Sequence, residues 1–177
     1  MIFQNTKVEG VIEVLPELKH DERGFFARTW CSQEFAAHGL NPSVVQCNIS
    51  MNRHKGTLRG IHFQTAPHQE AKLVRCTKGR VYDVALDLRQ ESSTFMQWTA
   101  VELTAEAENA LYIPEGCGHG FLTLEDETEL FYQMSAFYHP QAASGVRWND
   151  PAFKIAWPAP VEVISERDNT YPDYERP

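Results

Sequence analysis

The sequence predicts an all-β domain, a β-sandwich or barrel with a few short helices, and three observations carry that expectation. Apolar and polar residues alternate with a period of two in many short segments. These segments follow one another at spacings of about ten residues, as in sandwiches and barrels. Ten Gly, ten Pro and 11% aromatic residues suit a turn-rich strand protein better than a helical bundle. The 177 residues are enough to bury a core, and no repeat or Ser/Gly linker divides them, so residues 1–177 read as one domain.

The elements follow in order. The N-terminus, MIFQNTKVEGVIEVLPELKHDERG, alternates and meets charges early, without the apolar run of a signal peptide. Residues 32–39, SQEFAAHG, form the one convincing helix, with Ser32 as N-cap and Gly39 closing the C-terminus. Strands are expected at 43–51 and 57–64. The runs AKLVRCT and RVYDVALDL read as two strands joined by a tight hairpin at Lys78-Gly79. In the second, Tyr82, Val84, Leu86 and Leu88 share one face, with Asp83, Ala85 and Asp87 on the other. Further strands are expected at 97–103, 109–113, 119–124 and 128–137. The tail from Asn149 holds five of the ten prolines and is expected to wrap the barrel as turns and a last short helix.

Composition excludes several functions. Sixteen basic against twenty-four acidic side chains give a net charge of −8, which disfavours nucleic acid but leaves room for an anionic small molecule held by a local cluster of Arg and Lys. No apolar stretch approaches the length of a membrane span. Cys31, Cys47, Cys76 and Cys117 have no CxxC spacing and read as reduced thiols of a cytoplasmic protein.

Four segments could carry chemistry. In SMNRHKGTLRGIHFQTAPHQEAKLVR, Gly60, His62 and Gln64 share a strand face, with Arg59 and Lys72 nearby. A buried His or Gln needs a partner, so His62 is either a satisfied structural histidine or part of a site. In YIPEGCGHGFLTL, a Pro-x-Gly turn sets His119 at the start of an apolar strand, and the spacing resembles the second half of the cupin metal pattern. The first half, His-x-His followed by an acid, is missing, since the chain offers only His62, His68 and Glu70. In TELFYQMSAFY, Leu130, Tyr132 and Met134 face one way; Tyr132 is either core with its hydroxyl tied off or a proton donor in a dry pocket. In ISERD, Arg167 and Asp168 are either a solvated charge pair or, if Asp168 reaches His62, the group that fixes its tautomer.

Together these stretches resemble the dTDP-4-dehydrorhamnose 3,5-epimerase family. The matching pieces are DERGFF (21–26), QCNIS (46–50), KGTLRGIHFQ (55–64), KLVR (72–75), GRVYDVALDLR (79–89), YIPEGCGHGF (112–121), TELFY (128–132), GVRWNDP (145–151), IAWP (155–158) and ISERD (164–168). The resemblance implies a cupin-type jelly roll that dimerises by exchanging N-terminal strands and needs no metal or cofactor. It implies His62 as proton acceptor paired with Asp168, and Tyr132 as proton donor. It implies a nucleotide-diphospho-sugar substrate held by Arg59, Lys72, His119 and Arg167 around sugar and diphosphate. Arg23, Phe26, Gln46, Asn48 and Tyr138 would hold the nucleotide.

That chemistry agrees with the residues. A ketone at C4 acidifies the protons at C3 and C5 and is its own electron sink, so a base, an acid and a cation for the enolate oxygen suffice. His62, Tyr132 and Lys72 would supply them. The chain departs from the family pattern at Arg28 and Ala143, each where a Glu is common, and at Glu70-Ala71, where Gln-Gly is frequent. Exchanging carboxylate for guanidinium reverses charge and donor pattern, so a GDP- or CDP-linked sugar, or epimerisation of one carbon, stays open. The rival readings are a metal cupin using His62, His119 and Glu70, and a sugar-nucleotide binder or ketoisomerase-like protein with altered chemistry.

Overall fold

The computed structural model describes residues 1–175. Its first half contains β1 (Ile2–Asn5), β2 (Ile12–Leu15), β3 (Lys19–Asp21), β4 (Gly24–Phe26), α1 (Ser32–Ala37), β5 (Gln46–Asn52), β6 (Thr57–Gln64), β7 (Lys72–Lys78) and β8 (Arg80–Asp87). The second half adds β9 (Trp98–Thr104), β10 (Ala110–Ile113), β11 (Cys117–Thr123), β12 (Thr128–Met134), β13 (Ala143–Gly145), β14 (Val163–Ile164) and α2 (Glu166–Asn169). Two sheets face each other, one ordered β1-β2-β10-β7-β12-β5 and the other β13-β6-β11-β8-β9, with β14 beside β6. This is a cupin-type jelly roll.

Between the sheets lie Val74, Cys76, Val81, Ala85, Leu111, Phe121 and Leu130, all nearly or fully buried. A second apolar layer covers the outside of the β6-β11-β8 sheet, where Val146 and, from the tail, Phe153 pack on Ile61, Val84 and Leu86. Strand β11 is therefore buried along its whole length. The same double cover explains β8. Its alternation is as the sequence predicts, but the apolar face meets the tail, while Asp83 and Ala85 face the barrel interior.

Three expectations are corrected. The Lys78-Gly79 turn is no hairpin, because β7 and β8 belong to different sheets. The chain turns a corner there: Gly79 has φ +78°, and a Cβ would stand 2.6 Å from Thr128 Oγ1. The N-cap of α1 is Cys31, with no side-chain cap, and Ser32 is already helical. The helix holds instead through Phe35, buried against Phe3 and Tyr112. Strand bounds shift too: β5 starts only at Gln46, β11 starts already at Cys117, and β12 stops at Met134. Of the tail's five prolines, Pro177 lies outside the described residues.

The hairpin of β3 and β4 pairs only with itself, and Phe25 and Phe26 on it are 50% and 74% exposed. Strands β1 and β2, by contrast, are laid into the chain's own sheet beside β10. All four cysteines are free.

Candidate active site

A cavity of about 320 Å³ opens between the two sheets. Strands β6 and β11 supply Arg59, His62, Gln64 and His119 from one side; β5, β7 and β12 supply Asn48, Lys72 and Tyr132 from the other. Strict alternation would put Arg59 and His62 on opposite faces. The register resolves this: His119 lies opposite His62 and Phe121 opposite Arg59, so Gly60 and Ile61 on β6 face the single Gly120 on β11. The bulge turns both side chains inward. It requires glycines, since a Cβ on Gly60 (φ +130°) would stand 2.4 Å from the Gly120 Cα.

His62 is bound at Nε2 to Asp168 Oδ1, 2.7 Å away, across 106 residues of sequence. Asp168 sits in α2, where its backbone N–H donates to the N-cap Ser165 Oγ at 3.1 Å. Its second oxygen accepts the Gly60 N–H at 3.2 Å. Burial pushes the Asp168 carboxyl up, but the His62 contact and the Gly60 N–H outweigh it and hold the group below its ordinary value.

Tyr132 stands on the facing sheet. Burial, reinforced by the Asp83 charge, pushes its phenol far above the ordinary tyrosine value, so it keeps its proton. Its ring meets His119 edge-on, with centroids 5.9 Å apart. His119 is itself tied at Nε2 to Asp83 Oδ1 at 2.8 Å, and both side chains are buried. Lys72, 7% exposed, lies 3.1 Å from Glu70 Oε1 and donates to the His62 carbonyl at 3.4 Å. Arg59 donates through Nε to Asn52 Oδ1 at 2.8 Å. At the mouth, the Tyr138 N–H donates to Gln46 Oε1 at 3.2 Å, and Gln46 Nε2 reaches Asn48 Oδ1 at 3.5 Å. Arg167 lies over the Tyr171 ring beside the same mouth.

His62, Tyr132, Asn48, Arg59, Lys72, His119, Tyr138 and Arg167 thus line one cavity, with Asp168 behind His62 and Gln46 behind Asn48. Arg23 and Phe26 do not join them. Arg23 is exposed and paired with Asp21, and Phe26 faces a separate hollow beside Arg28 and Glu34. The reason is geometric: their hairpin stands clear of the barrel and touches neither of its sheets as a strand.

The metal set of the rival reading is not assembled either. His62, His119 and Glu70 are engaged with Asp168, Asp83 and Lys72 respectively. Among the described residues no group of three or more His, Cys, Asp or Glu side chains is placed to hold a metal ion. Sequence reasoning missed Asp83 as the partner of His119, Asn52 behind Arg59 and the Glu70–Lys72 pair. An aspartate inside an otherwise apolar strand signals a partner somewhere, but not which one.

A jelly roll that sets a histidine–aspartate pair against a buried tyrosine, with cations lining the space between, holds the groups an isomerase can use to move protons. The family model described as dTDP-4-dehydrorhamnose 3,5-epimerase matches residues 5–176. The chain is 42% identical over 172 residues to the dTDP-4-dehydrorhamnose 3,5-epimerase of Methanothermobacter thermautotrophicus, covering 96% of this chain and 92% of that one. The crystal structure of the enzyme of that name from Elizabethkingia anophelis superposes with a TM-score of 0.95 at 37% identity, covering 98% of this chain and 96% of that one. The Bacillus anthracis enzyme of that name, solved with TDP and pyrophosphate bound, superposes with a TM-score of 0.93 at 35% identity, covering 98% and 99%. The chain belongs to the dTDP-4-dehydrorhamnose 3,5-epimerase family.

Proposed function

We propose that the protein inverts C3 and C5 of dTDP-4-keto-6-deoxyglucose by cofactor-independent proton transfer, with His62 as base and Tyr132 as acid. The observation that carries this is the placement of the His62–Asp168 pair and Tyr132 on opposed sheets around one cavity. His62 takes the proton from carbon on one face, the electron pair moves into the C4 enolate, and Tyr132 protonates the same carbon from the other face. Asp168 fixes the imidazole and stabilises its protonated form. Lys72, nearly dry, offers a cation to the enolate oxygen, and His119 holds the sugar. Arg59 and Arg167 receive the diphosphate. Gln46, Asn48 and Tyr138 receive the base at the mouth.

The TDP bound by the Bacillus anthracis relative supports dTDP as the nucleotide. A second reading, the same reaction on a GDP- or CDP-linked 4-keto sugar, is favoured by Ala143, which lines the cavity without a carboxylate, and by Arg28, already paired with Glu34 at 2.7 Å.

Residues 1–177 would act as one epimerase domain in a cytoplasmic homodimer. No helix among the described residues is long and apolar enough to cross a membrane. The dimer reading rests on the unpaired β3–β4 hairpin and on β5, a sheet edge carrying Ile49 and Met51 exposed at 66% and 45%. In a homodimer that exchanges N-terminal strands, Arg23 and Phe26 of one copy would reach the cavity of the other.

Deuterium incorporation from D₂O tests the function. Two deuterons per dTDP-4-keto-6-deoxyglucose are expected. One deuteron would make the protein a mono-epimerase, and exchange only with a GDP- or CDP-linked sugar would establish the second reading.

A further inference from the structure

Strand β5 keeps its polar residues on one face. Gln46, Asn48, Ser50 and Asn52 alternate with Cys47, Ile49 and Met51, and in an extended strand such a set points one way. Asn48 and Ser50 line the substrate cavity. Three of the four polar side chains are engaged. Gln46 Oε1 accepts the Tyr138 N–H, Asn48 Nδ2 donates to Met134 Sδ at 3.1 Å, and Asn52 Oδ1 accepts from Arg59. Ser50 is the exception: its hydroxyl oxygen is buried and has no hydrogen-bond partner among the described residues. A buried hydroxyl without a partner costs stability, so its place in the wall of the cavity calls for a reason.

The reason lies one strand away. Strand β12 runs antiparallel beside β5, with Tyr132 opposite Asn48 and Leu130 opposite Ser50. Tyr132 and Ser50 are therefore diagonal neighbours that line the same cavity, a separation that an aromatic side chain spans. The Tyr132 phenol is pushed up by burial and by the Asp83 charge, and the nearby Ser50 hydroxyl draws it part of the way back.

The chemistry gives that hydroxyl a use; this step rests on the reading of Tyr132 as acid. When Tyr132 delivers its proton, its O–H bond breaks as the new C–H bond forms on the sugar, and the electron pair stays on the phenol oxygen. Negative charge thus develops on an oxygen held away from bulk water. A donor left unpartnered in the resting state can form its bond as that charge appears, which lowers the barrier without tightening ground-state binding.

We propose that Ser50 is a positioning residue for the acid: its hydroxyl donates to the Tyr132 oxygen as the phenolate forms and so stabilises the transition state for protonation of the sugar carbon.

Ser50→Ala removes the hydroxyl and little else. Deuterium exchange from D₂O into dTDP-4-keto-6-deoxyglucose should show kcat about 10- to 100-fold lower, with KM and TDP affinity little changed. In a Tyr132→Phe background, where no phenolate forms, the same substitution should lower kcat by less than about twofold. An unchanged kcat in Ser50→Ala overturns the proposal. So does an equal loss in both backgrounds, which would make the serine a packing residue. A rise in KM at unchanged kcat also overturns it and makes Ser50 a sugar ligand. Ser50→Cys, close in size and a weak donor, serves if the alanine variant does not fold. Wild-type rates in Tyr132→Phe alone would instead remove Tyr132 as acid, and the proposal with it.

Discussion

Two histidine–aspartate pairs stand side by side in this barrel, and their surroundings separate them. His62 and His119 are register partners on adjacent strands, and each is held at Nε2 by a carboxylate, at 2.7 and 2.8 Å. The first pair is assembled from the barrel and the C-terminal helix and leaves the imidazole partly in solvent. The second is built between neighbouring strands of one sheet and is almost wholly buried, although His119 still lines the cavity. A group that must take up and release protons needs water on one side, whereas a group that holds a substrate gains from a dry, fixed setting. On the proposed roles, the same two side-chain types would serve turnover in one place and position in the other.

The sharpest way to break this comparison is at the two imidazoles. His62→Asn should lower deuterium exchange into the sugar by about 10³-fold or more while TDP binding persists. His119→Asn should weaken substrate binding more than it lowers the rate of exchange at saturation. Exchange surviving in the His62 variant would end its role as base. Next in size is Tyr132→Phe, which removes the acid but keeps the ring against His119. We expect kcat to fall about 10²-fold with KM little changed. Equal losses in both would mark the tyrosine as packing.

The aspartates sharpen the contrast in stability. Asp83→Asn removes the carboxylate that holds the buried His119 ring and should cost about 1–3 kcal/mol in urea melts. Asp168→Asn, at a half-open pair, should cost clearly less stability while still reducing kcat. The reverse order would show that burial does not separate the pairs.

The smallest effect concerns Asp87, as buried as Asp83 but partnered at both oxygens by Arg89, Ser92 and Thr94. Burial pushes its carboxyl up, and those hydrogen bonds outweigh it, bringing it down to about 2. The unfolded chain therefore binds this proton more readily, and ionised Asp87 stabilises the fold at neutral pH. That contribution, about 2 kcal/mol, should be lost as pH falls from about 4 through about 2. Urea melts across that range should show the slope in wild type and not in Asp87→Asn.

Most of the site was legible because it lies in short, dense motifs. Arg59, His62 and Gln64 fall within one strand, and His119 and Tyr132 each sit inside an alternating apolar run. The inward turn of both Arg59 and His62 was not legible, since a bulge against β11 depends on the partner strand. Nor was the corner at Gly79 distinguishable from a hairpin, because a glycine at positive φ serves both turns. Asp83 was visible as an acid on a strand face, but its partner stands 36 residues away. Arg23 and Phe26 carry motif identity without a place in this chain's own cavity, because their hairpin pairs only with itself.

The sequence by itself determined the strand-rich class, the alternation within each strand and the chemical types gathered at the candidate site. These follow from local spacing and side-chain chemistry, which act within a few residues. The tertiary structure alone decided which face of β8 looks inward, which carboxylate each histidine receives and which of the two stays wet. Those outcomes depend on strand pairing and on where the tail covers the sheet, interactions between residues far apart in the chain.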